Sequence, residues 1–235
     1  MVRASSWRRA SVLSPLQRRV AVIVSALPEA EGFALAGGGA LVIRGDVDRR
    51  TRDLDFFGPD PARVDELLPA VERALAEADL SVTRVRTSAG FARLEVADDA
   101  DRTELDLATD ARLFAIEERD GVAVLAAEEL GVDKVLAVFG RAEARDFIDL
   151  AALEERFGLQ RLLDGAAAKD RGFDLGVFSA MTERFSRLRR GEFPIEDAQY
   201  LSLQRRVDVW REISLADAHR LEAKRRRPPD IGLGL

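Results

Sequence analysis

The chain has 235 residues, of which 47% are hydrophobic and 33% are charged, and its net charge is −6. This length allows a substantial core, as one large domain or two small ones, and the negative charge argues against a general nucleic-acid binder. The absence of cysteine excludes disulfides, thiolate catalysis and cysteine-based zinc sites, and a single histidine, His219, argues against histidine catalysis. Any metal ion is therefore expected to bind oxygen ligands.

The N-terminal stretch contains several arginines and no acidic residue, a composition shared with targeting peptides. Its apolar piece, residues 20–24, is far shorter than the roughly 20 apolar residues that span a bilayer. We therefore interpret the stretch as an amphipathic first helix, and we expect a cytoplasmic protein without a membrane partner.

Apolar periodicity and turn residues predict a mixture of helices and strands in the first half of the chain. Pro28 is expected to end the first helix, and Gly58 with Pro59 to end the strand that carries Asp53 and Asp55. The predicted elements are helices over 16–26, 40–43 and 62–78, and strands over 33–36, 53–57, 81–86, 91–96 and 103–108.

The second half of the chain reads almost entirely as helix, with predicted helices over 128–139, 146–157, 175–188 and 198–224. We predict an α+β fold class, in which a mixed sheet flanked by helices occupies residues 1–125 and a helical C-terminal domain occupies residues 126–235. The helical domain is expected to complete the active site. Its end, from about residue 225, is expected to be a flexible tail because it holds Pro228, Pro229 and two glycines.

A glycine run, Gly37 to Gly39, precedes two carboxylates, Asp53 and Asp55, by about fifteen residues. Glycines allow backbone N–H groups to approach a phosphate closely at the start of a helix. Residues two apart in a strand share a face, so both carboxylates are expected to point to one side, about 6.6 Å apart along the strand. Such a pair repels unless a cation lies between them, and Mg²⁺ prefers oxygen ligands. The pattern predicts a nucleoside triphosphate held by backbone amides and bridged to the protein by metal.

The chain combines GGGAL at 37–41, RTRDLDFF at 50–57, Lys134 and RDFIDL at 145–150. Over roughly residues 30–155 these motifs resemble the AbiEii/AbiGii family of nucleotidyltransferase toxins, which includes the MenT toxins and is similar to the DNA polymerase β-like superfamily. The resemblance implies a polymerase β-like nucleotidyltransferase core, an NTP substrate, and Mg²⁺ or Mn²⁺ as the metal. It also implies a toxin with a cognate antitoxin and, for MenT-like members, transfer to the 3′ end of tRNA.

The resemblance to this family implies that Asp53 and Asp55 are metal ligands and catalytic acids. Asp106 is the expected third ligand, since the superfamily draws a third carboxylate from a neighbouring strand. Glu104 shares its strand face and is an alternative. The competing interpretation of Asp53 and Asp55 is a pair of exposed carboxylates bonded to Arg50 and Arg52, and that of Asp106 is an ordinary outward-facing acid.

Gly38 and Gly39 are expected to bring backbone amides to the phosphates, although a plain strand-to-helix turn also uses glycine. The family places a Ser or Thr at the position of Thr51, whose hydroxyl is a candidate phosphate ligand. Arg50, together with Arg44, is expected to assist the leaving pyrophosphate, or else to pair with an aspartate in the same loop.

Lys134 matches the family's lysine on the helix after the sheet and is expected to neutralise triphosphate charge. Asp149 is the expected last catalytic acid, with Asp146 as the alternative. In one continuous helix Lys134 and Asp149 would lie about 22 Å apart, so we predict a break at Gly140 that folds the second helix back. The competing role for Asp149 is an ion pair with Arg145 on its own helix.

Arginines gather in the C-terminal part of the chain, and we expect them to form either a docking face for tRNA or simply solvated helix faces. They are Arg184, Arg187, Arg189, Arg190, Arg205 and Arg206, followed by a basic run over 224–227. Two alternatives to transfer to RNA stay open: transfer to a small molecule or protein, and an inert nucleotide-binding regulatory module. A dinucleotide-binding turn is discounted, because Val42 leaves the G-x-G-x-x-G spacing incomplete.

Overall fold

The structure, a computed structural model, describes residues 13–225, with side chains as far as Arg220. The predictions for the first twelve residues and for the tail after residue 225 lie outside this part. The α-helices are α1 (Pro15–Ser25), α2 (Gly37–Arg44), α3 (Pro61–Glu77), α4 (Ala127–Gly140), α5 (Ala144–Phe157), α6 (Leu159–Lys169), α7 (Leu175–Thr182) and α8 (Asp197–Arg225). Short 3₁₀ turns cover Pro28–Ala30, Glu183–Arg187 and Arg190–Glu192.

The described strands form one mixed sheet in the order β3-β4-β5-β2-β1-β7-β6. They are β1 (Ala34–Ala36), β2 (Asp53–Gly58), β3 (Ser81–Ser88), β4 (Phe91–Ala97), β5 (Arg102–Thr109), β6 (Glu117–Arg119) and β7 (Val122–Val124). The central strand β2 runs parallel to β5 and antiparallel to β1. Strand β2 therefore has paired neighbours on both sides, which fixes the position of its side chains.

The sheet forms because alternate residues of its strands are apolar. On β2, Leu54 and Phe56 are fully buried, and on β4 Leu94 occupies the same side. Helices α1 and α3 cover this side, with an apolar stripe of α3 facing the strands. The intervening residues of β2 point to the other side, where Asp53 and Asp55 lie.

The predicted α+β class is confirmed, and most predicted elements agree with the structure to within a few residues. Helix α2 begins three residues earlier than predicted, so the glycines form its first turn. Strands β6 and β7 and helix α6 were not predicted, and α7 ends at Thr182, where a 3₁₀ turn follows. The predicted domain boundary near residue 125 stays a prediction; one continuous cluster of buried side chains extends across it.

Helix α4 is the centre of the helical part, since it contacts α2, α5, α6 and α7. It lies very close to α6 where Gly131 faces Leu162 and Gly165 faces Val132. A Cβ atom at Gly131 would lie 2.7 Å from Leu162 Cδ2, and one at Gly165 would overlap Val132 Cγ2. Within the described residues, no helix is both long and apolar enough to cross a bilayer.

The close approach of α4 and α6 predicts an asymmetry between two glycines. Gly165→Ala is expected to lower the free energy of unfolding by about 1–2 kcal/mol, because the stiff Val132 side chain resists the added methyl group. Gly140→Ala is the matched control, since a Cβ atom there meets nothing within 4 Å. The control is expected to change the free energy by less than about 1 kcal/mol, in the stabilising direction. Urea unfolding measures both, and equal effects would contradict the packing.

Candidate active site

Two acidic side chains lie next to each other on the open side of the central strand. Asp53 and Asp55 are partly exposed, whereas the residues between and after them are buried. The parallel register places Asp55 beside Asp106 and Asp53 beside Glu104 on β5. Because directly paired residues share a face, the four carboxylates form one acidic cluster.

The first turn of α2 lies against this cluster. Gly37 has φ +56°, a left-handed conformation that glycine adopts without strain, and any Cβ atom there would overlap the Asp55 carboxylate. A Cβ atom at Gly38 would lie 2.8 Å from Thr51 Oγ1 and 2.9 Å from Arg49 Nη2. The absence of side chains at these two positions lets the helix start, the loop and the acidic strand approach one another.

The start of α2 has no side-chain cap. The N–H groups of Gly38 and Gly39 belong to its first turn, where backbone donors lack partners within the helix. The positive end of the helix dipole adds to their attraction for an anion. Gly39 itself faces the core, since a Cβ atom there would meet Leu35 and Leu54. The α-carbon of Gly38 therefore faces Thr51 and Arg49 in the site, whereas the α-carbon of Gly39 faces the core and only its N–H group is available to the site.

Thr51 orients Asp53. Its hydroxyl lies 2.9 Å from Oδ1 of Asp53, and a buried glutamine, Gln17, donates to the Thr51 carbonyl oxygen at 3.2 Å. The Gln17 amide also lies 3.3 Å from the Thr103 hydroxyl on β5. Gln17 thus connects α1, the loop before β2, and β5.

A buried cluster formed by Lys134, Asp149 and Arg49 borders the glycine turn. Helix α4 ends at Gly140 and α5 folds back, which confirms the predicted break and brings Lys134 Nζ to 2.8 Å from Asp149 Oδ2. The guanidinium of Arg49 donates two hydrogen bonds of 2.7 Å to the same carboxylate. Asp149 is fully buried, so these two cations compensate its charge inside the protein.

Asp146 braces this arrangement from the other side of Lys134. Its carboxylate accepts hydrogen bonds of 2.9 and 3.0 Å from Arg141 and lies 3.4 Å from Lys134 Nζ. It also accepts from the Glu143 backbone N–H, which caps α5. Burial raises the pKa of Asp146, but the hydrogen bonds and charges of Arg141 and Lys134 outweigh it and hold the pKa below its usual value.

Two further arginines form ion pairs with carboxylates of the acidic cluster. Arg93 on β4 donates two hydrogen bonds of 2.6 and 2.7 Å to Asp106 and lies 3.4 Å from Glu104. Arg145 on α5 lies 3.7 Å from Asp53 and 3.0 Å from Glu143, so it is not the ion-pair partner of Asp149.

Asp55 differs from its neighbours because no described residue forms a hydrogen bond or ion pair with its carboxylate. The residue is partly exposed, but its carboxylate lies beneath the glycine turn, next to Gly37. This burial, followed by the charges of Asp53 and Asp106, raises its pKa from 3.8 to about 6, despite the opposing charges of Lys134 and Arg145. A cation bound between Asp53 and Asp55 would relieve this repulsion, so the two acids fit a divalent metal. No group of three or more acids among the described residues is arranged as a complete metal site. Asp106, held by Arg93, stays a prediction as the third ligand.

A polar groove of about 950 Å³ opens beside Asp53. Its walls come from the start of α1, the loop over 48–52, the start of β5, and Arg145. Both arginines and acids line it, among them Asp53 and Glu104. The Asp53 side of the acidic cluster is therefore open to solvent.

The phosphate-binding role of Arg50 stays a prediction. Arg50 is exposed and lines the groove beside Asp53, whereas its neighbour Arg49 lies over Gly38 and donates to Asp149. Arg44 is buried and pairs with Asp46 and Glu117, which confirms the structural alternative for that residue. Loops lack the periodicity that assigns a side chain to a face, so the contact between Arg49 and Asp149 was not predicted. The sequence reasoning also missed a set of supporting residues: Gln17, Arg93 and Arg141.

The raised pKa of Asp55 predicts a pH-dependent stability effect. The folded protein binds this proton more tightly than the unfolded chain, so the ionised carboxylate destabilises the fold above about pH 6. This penalty disappears as the pH falls toward about 4. Asp55→Asn is therefore expected to raise the free energy of unfolding by about 2 kcal/mol near pH 8, and by little near pH 4.

Urea unfolding in the presence of a chelator measures this difference. The exposed Asp99→Asn is the control, and its effect is expected to stay within about 0.5 kcal/mol at both pH values. A destabilised Asp55→Asn near pH 8 would show that the carboxylate has a favourable partner in the folded protein.

Comparisons with known proteins agree with this geometry. Residues 21–220 match the family model described as nucleotidyl transferase AbiEii toxin, type IV toxin–antitoxin system. The chain is similar to the crystal structure of JHP933 from Helicobacter pylori, at 18% identity over 90% of this chain and 95% of that chain, with a TM-score of 0.52. It is also similar to an H. pylori protein described as a "putative nucleotidyltransferase", at 17% identity over 88% and 94% of the two chains, with a TM-score of 0.54. A comparison with curated proteins finds no match.

At 17–18% identity the two solved structures establish a shared fold and nothing finer. The family model, by contrast, covers most of the chain and includes the glycine turn, both strand carboxylates, Lys134 and Asp149. The resemblance seen in the motifs is thereby confirmed: this chain belongs to the AbiEii family of nucleotidyltransferase toxins from type IV toxin–antitoxin systems.

Proposed function

We propose that this protein transfers a nucleotide from a nucleoside triphosphate to RNA, with the 3′ end of tRNA as the acceptor. One observation carries the chemistry: the helix start at Gly38, the Asp53–Asp55 pair and the buried cluster on Asp149 converge on one point. Membership of a nucleotidyltransferase toxin family supports the reaction type, and also a cognate antitoxin as a second partner.

In this reaction an acceptor hydroxyl attacks the α-phosphorus of the triphosphate. The bond from phosphorus to the acceptor oxygen forms while the bond to the bridging oxygen breaks, and pyrophosphate leaves with that electron pair. Asp53 and Asp55 would hold a divalent cation, Mg²⁺ or Mn²⁺, whose charge would offset the negative charge that develops on the triphosphate oxygens. Asp106, next to Asp55 on β5, is the candidate to accept the hydroxyl proton.

The remaining residues bind and position the triphosphate. The N–H groups of Gly38 and Gly39 are suited to phosphate oxygens at the start of α2. Arg49 adds a planar guanidinium beside Gly38, and Lys134 adds a compact positive charge on the same side. Asp149 is buried behind both cations, so its proposed role is to position Arg49 and Lys134 rather than to contact the reacting atoms.

Support for an RNA acceptor comes from the helical part of the chain. Arg184 and Arg187 flank Phe185, whose ring packs edge-on against Phe147 of α5 at 5.3 Å. Both arginines are exposed and lie next to the helix that carries Asp149. Other C-terminal arginines are used structurally: Arg190 pairs with Asp197, and Arg206 with Glu154 and Glu155.

Labelled triphosphates and total RNA test the proposal. The wild-type chain with divalent metal is expected to transfer label from one of the four NTPs to RNA, and Asp55→Ala is expected to transfer none. Asp99→Ala is the matched control and is expected to behave as the wild type. Label found on a small molecule or on a protein, and not on RNA, would show that the proposed acceptor is wrong. Bound NTP without transfer or pyrophosphate release would indicate an inert module.

The cluster on Asp149 predicts a non-additive pair of mutations. Arg49→Gln and Asp149→Asn are each expected to lower kcat/KM for the NTP about 10²-fold, since either change removes the guanidinium from its position. The double variant is expected to lose little more than either single variant, because both act through one interaction. Steady-state kinetics measure this, and circular dichroism checks that each variant is folded.

Two substitutions sharpen the test of Arg49. Arg49→Lys is expected to recover little activity, because lysine cannot form the two parallel hydrogen bonds to Asp149. Arg50→Gln changes the same charge one residue away. A larger loss from Arg50→Gln than from Arg49→Gln would support the predicted role of Arg50 and contradict the role proposed for Arg49.

A further inference from the structure

Beside the acidic cluster, one face of strand β4 is partly exposed. Along β4, buried residues alternate with partly exposed ones: Ala92, Leu94 and Val96 are buried, whereas Phe91, Arg93 and Glu95 are partly exposed. The register pairs Arg93 with Asp106, and Asp106 with Asp55. The partly exposed face is therefore continuous with the face that carries the active-site acids.

An arginine and an aromatic ring lie together on this face. Arg86 on β3 is opposite Arg93, and its guanidinium carbon is 5.7 Å from the centroid of the Phe91 ring. Arg86 is exposed, and in the part of the chain that the structure describes no carboxylate pairs with it. Two strand spacings of about 4.8 Å separate β4 from β2, so the ring lies roughly 10–12 Å from Asp55.

We propose that this surface, the β4 face defined by Arg86, Phe91 and Arg93, binds unpaired nucleotides of the RNA acceptor next to its reacting end. The inference rests on the proposed function and adds the position of the acceptor. Bases stack on aromatic rings and on guanidinium planes, and phosphates pair with arginine. Phe91 supplies the ring, and Arg86 supplies a guanidinium that no described acid occupies.

The charges on the face set the direction of the bound strand. Glu95 and Glu104 lie toward the groove beside Asp53. Arg93 offsets the charge of Glu104 and Asp106, to which it is already bonded. Uncompensated positive charge therefore lies farther out, at Arg86. An acceptor with a phosphate on Arg86 and a base on Phe91 directs its terminal hydroxyl toward the acidic cluster.

The exposed edge of the sheet is a poor site for adding a partner strand. Strand β3 is the edge strand, and its register shifts between Arg84 and Arg86. A bulge twists an edge away from regular pairing, and charged side chains along an edge discourage strand addition. The β4 face, rather than the β3 edge, is therefore the surface that remains for a ligand.

Phe91→Leu and Arg86→Gln test the inference. Phe91→Leu keeps an apolar side chain but removes the ring, and it is expected to raise KM for total tRNA about tenfold with little change in KM for the NTP. Arg86→Gln is expected to raise KM for tRNA severalfold and to reduce its dependence on salt. Phe91→Tyr, which keeps the ring, is expected to restore binding. Filter binding of a short single-stranded RNA, without NTP, gives the affinities independently of catalysis.

Arg73→Gln is the matched control, because Arg73 is an exposed arginine of α3, on the opposite side of the sheet. It is expected to leave both KM values unchanged. Suppose that Phe91→Leu and Arg86→Gln bind RNA with wild-type affinity and still transfer nucleotides to tRNA. This result would contradict RNA binding by the β4 face and leave the proposed function intact. A wild-type chain that transfers nucleotides only to a small molecule or a protein would overturn both.

Discussion

The buried carboxylate of Asp149 ties together parts of the chain that are as much as 100 residues apart in sequence. Arg49 comes from the loop before β2, Lys134 from α4, and Asp149 from α5. Removing an ionised carboxylate from water costs several kcal/mol unless cations and hydrogen bonds compensate it, and here two cations supply three close contacts. The arrangement is stable only when all three segments are in place. The cluster of Arg49, Lys134 and Asp149 beside the glycine turn therefore forms only when the helical part is folded against the sheet.

The same electrostatic rule explains why Asp55 is distinct. Asp106, Asp146 and Asp149 are each held by arginine or lysine within 3 Å, and Asp53 has Arg145 at 3.7 Å. Asp55 has neighbouring acids and the glycine turn beside it instead. Among the described acids of the site, Asp55 is therefore the one without a bonded cation, and a bound metal ion would supply that compensation. A Cβ atom at Gly37 would overlap the Asp55 carboxylate and displace it.

The sequence was sufficient to predict those features that depend on local periodicity or on a fixed motif. The alternation around Asp53 and Asp55 placed both on one face, and the helix break at Gly140 brought Lys134 to Asp149 because helix geometry allowed no other route. It was insufficient where the outcome depends on packing between distant segments. Arg49 and Arg50 lie in a loop that has neither helical nor strand periodicity. The sequence therefore does not show which of them contacts Asp149. Strands β6 and β7 have three residues each, too few to show an alternation.

The position of β2 within the sheet gives the proposed reaction its direction. In-line displacement requires the attacking and leaving groups to lie on opposite sides of the phosphorus. Strand β2 has β1, which leads into the α2 glycines, on one side, and β5 with Asp106 on the other. Arg49 and Lys134 lie on the first side, where they would stabilise the leaving pyrophosphate of the proposed reaction. The β4 face lies on the second side, from which the acceptor hydroxyl would approach. In this proposal the order β4-β5-β2-β1 places the strand that carries Asp53 and Asp55 between the acceptor and the leaving group.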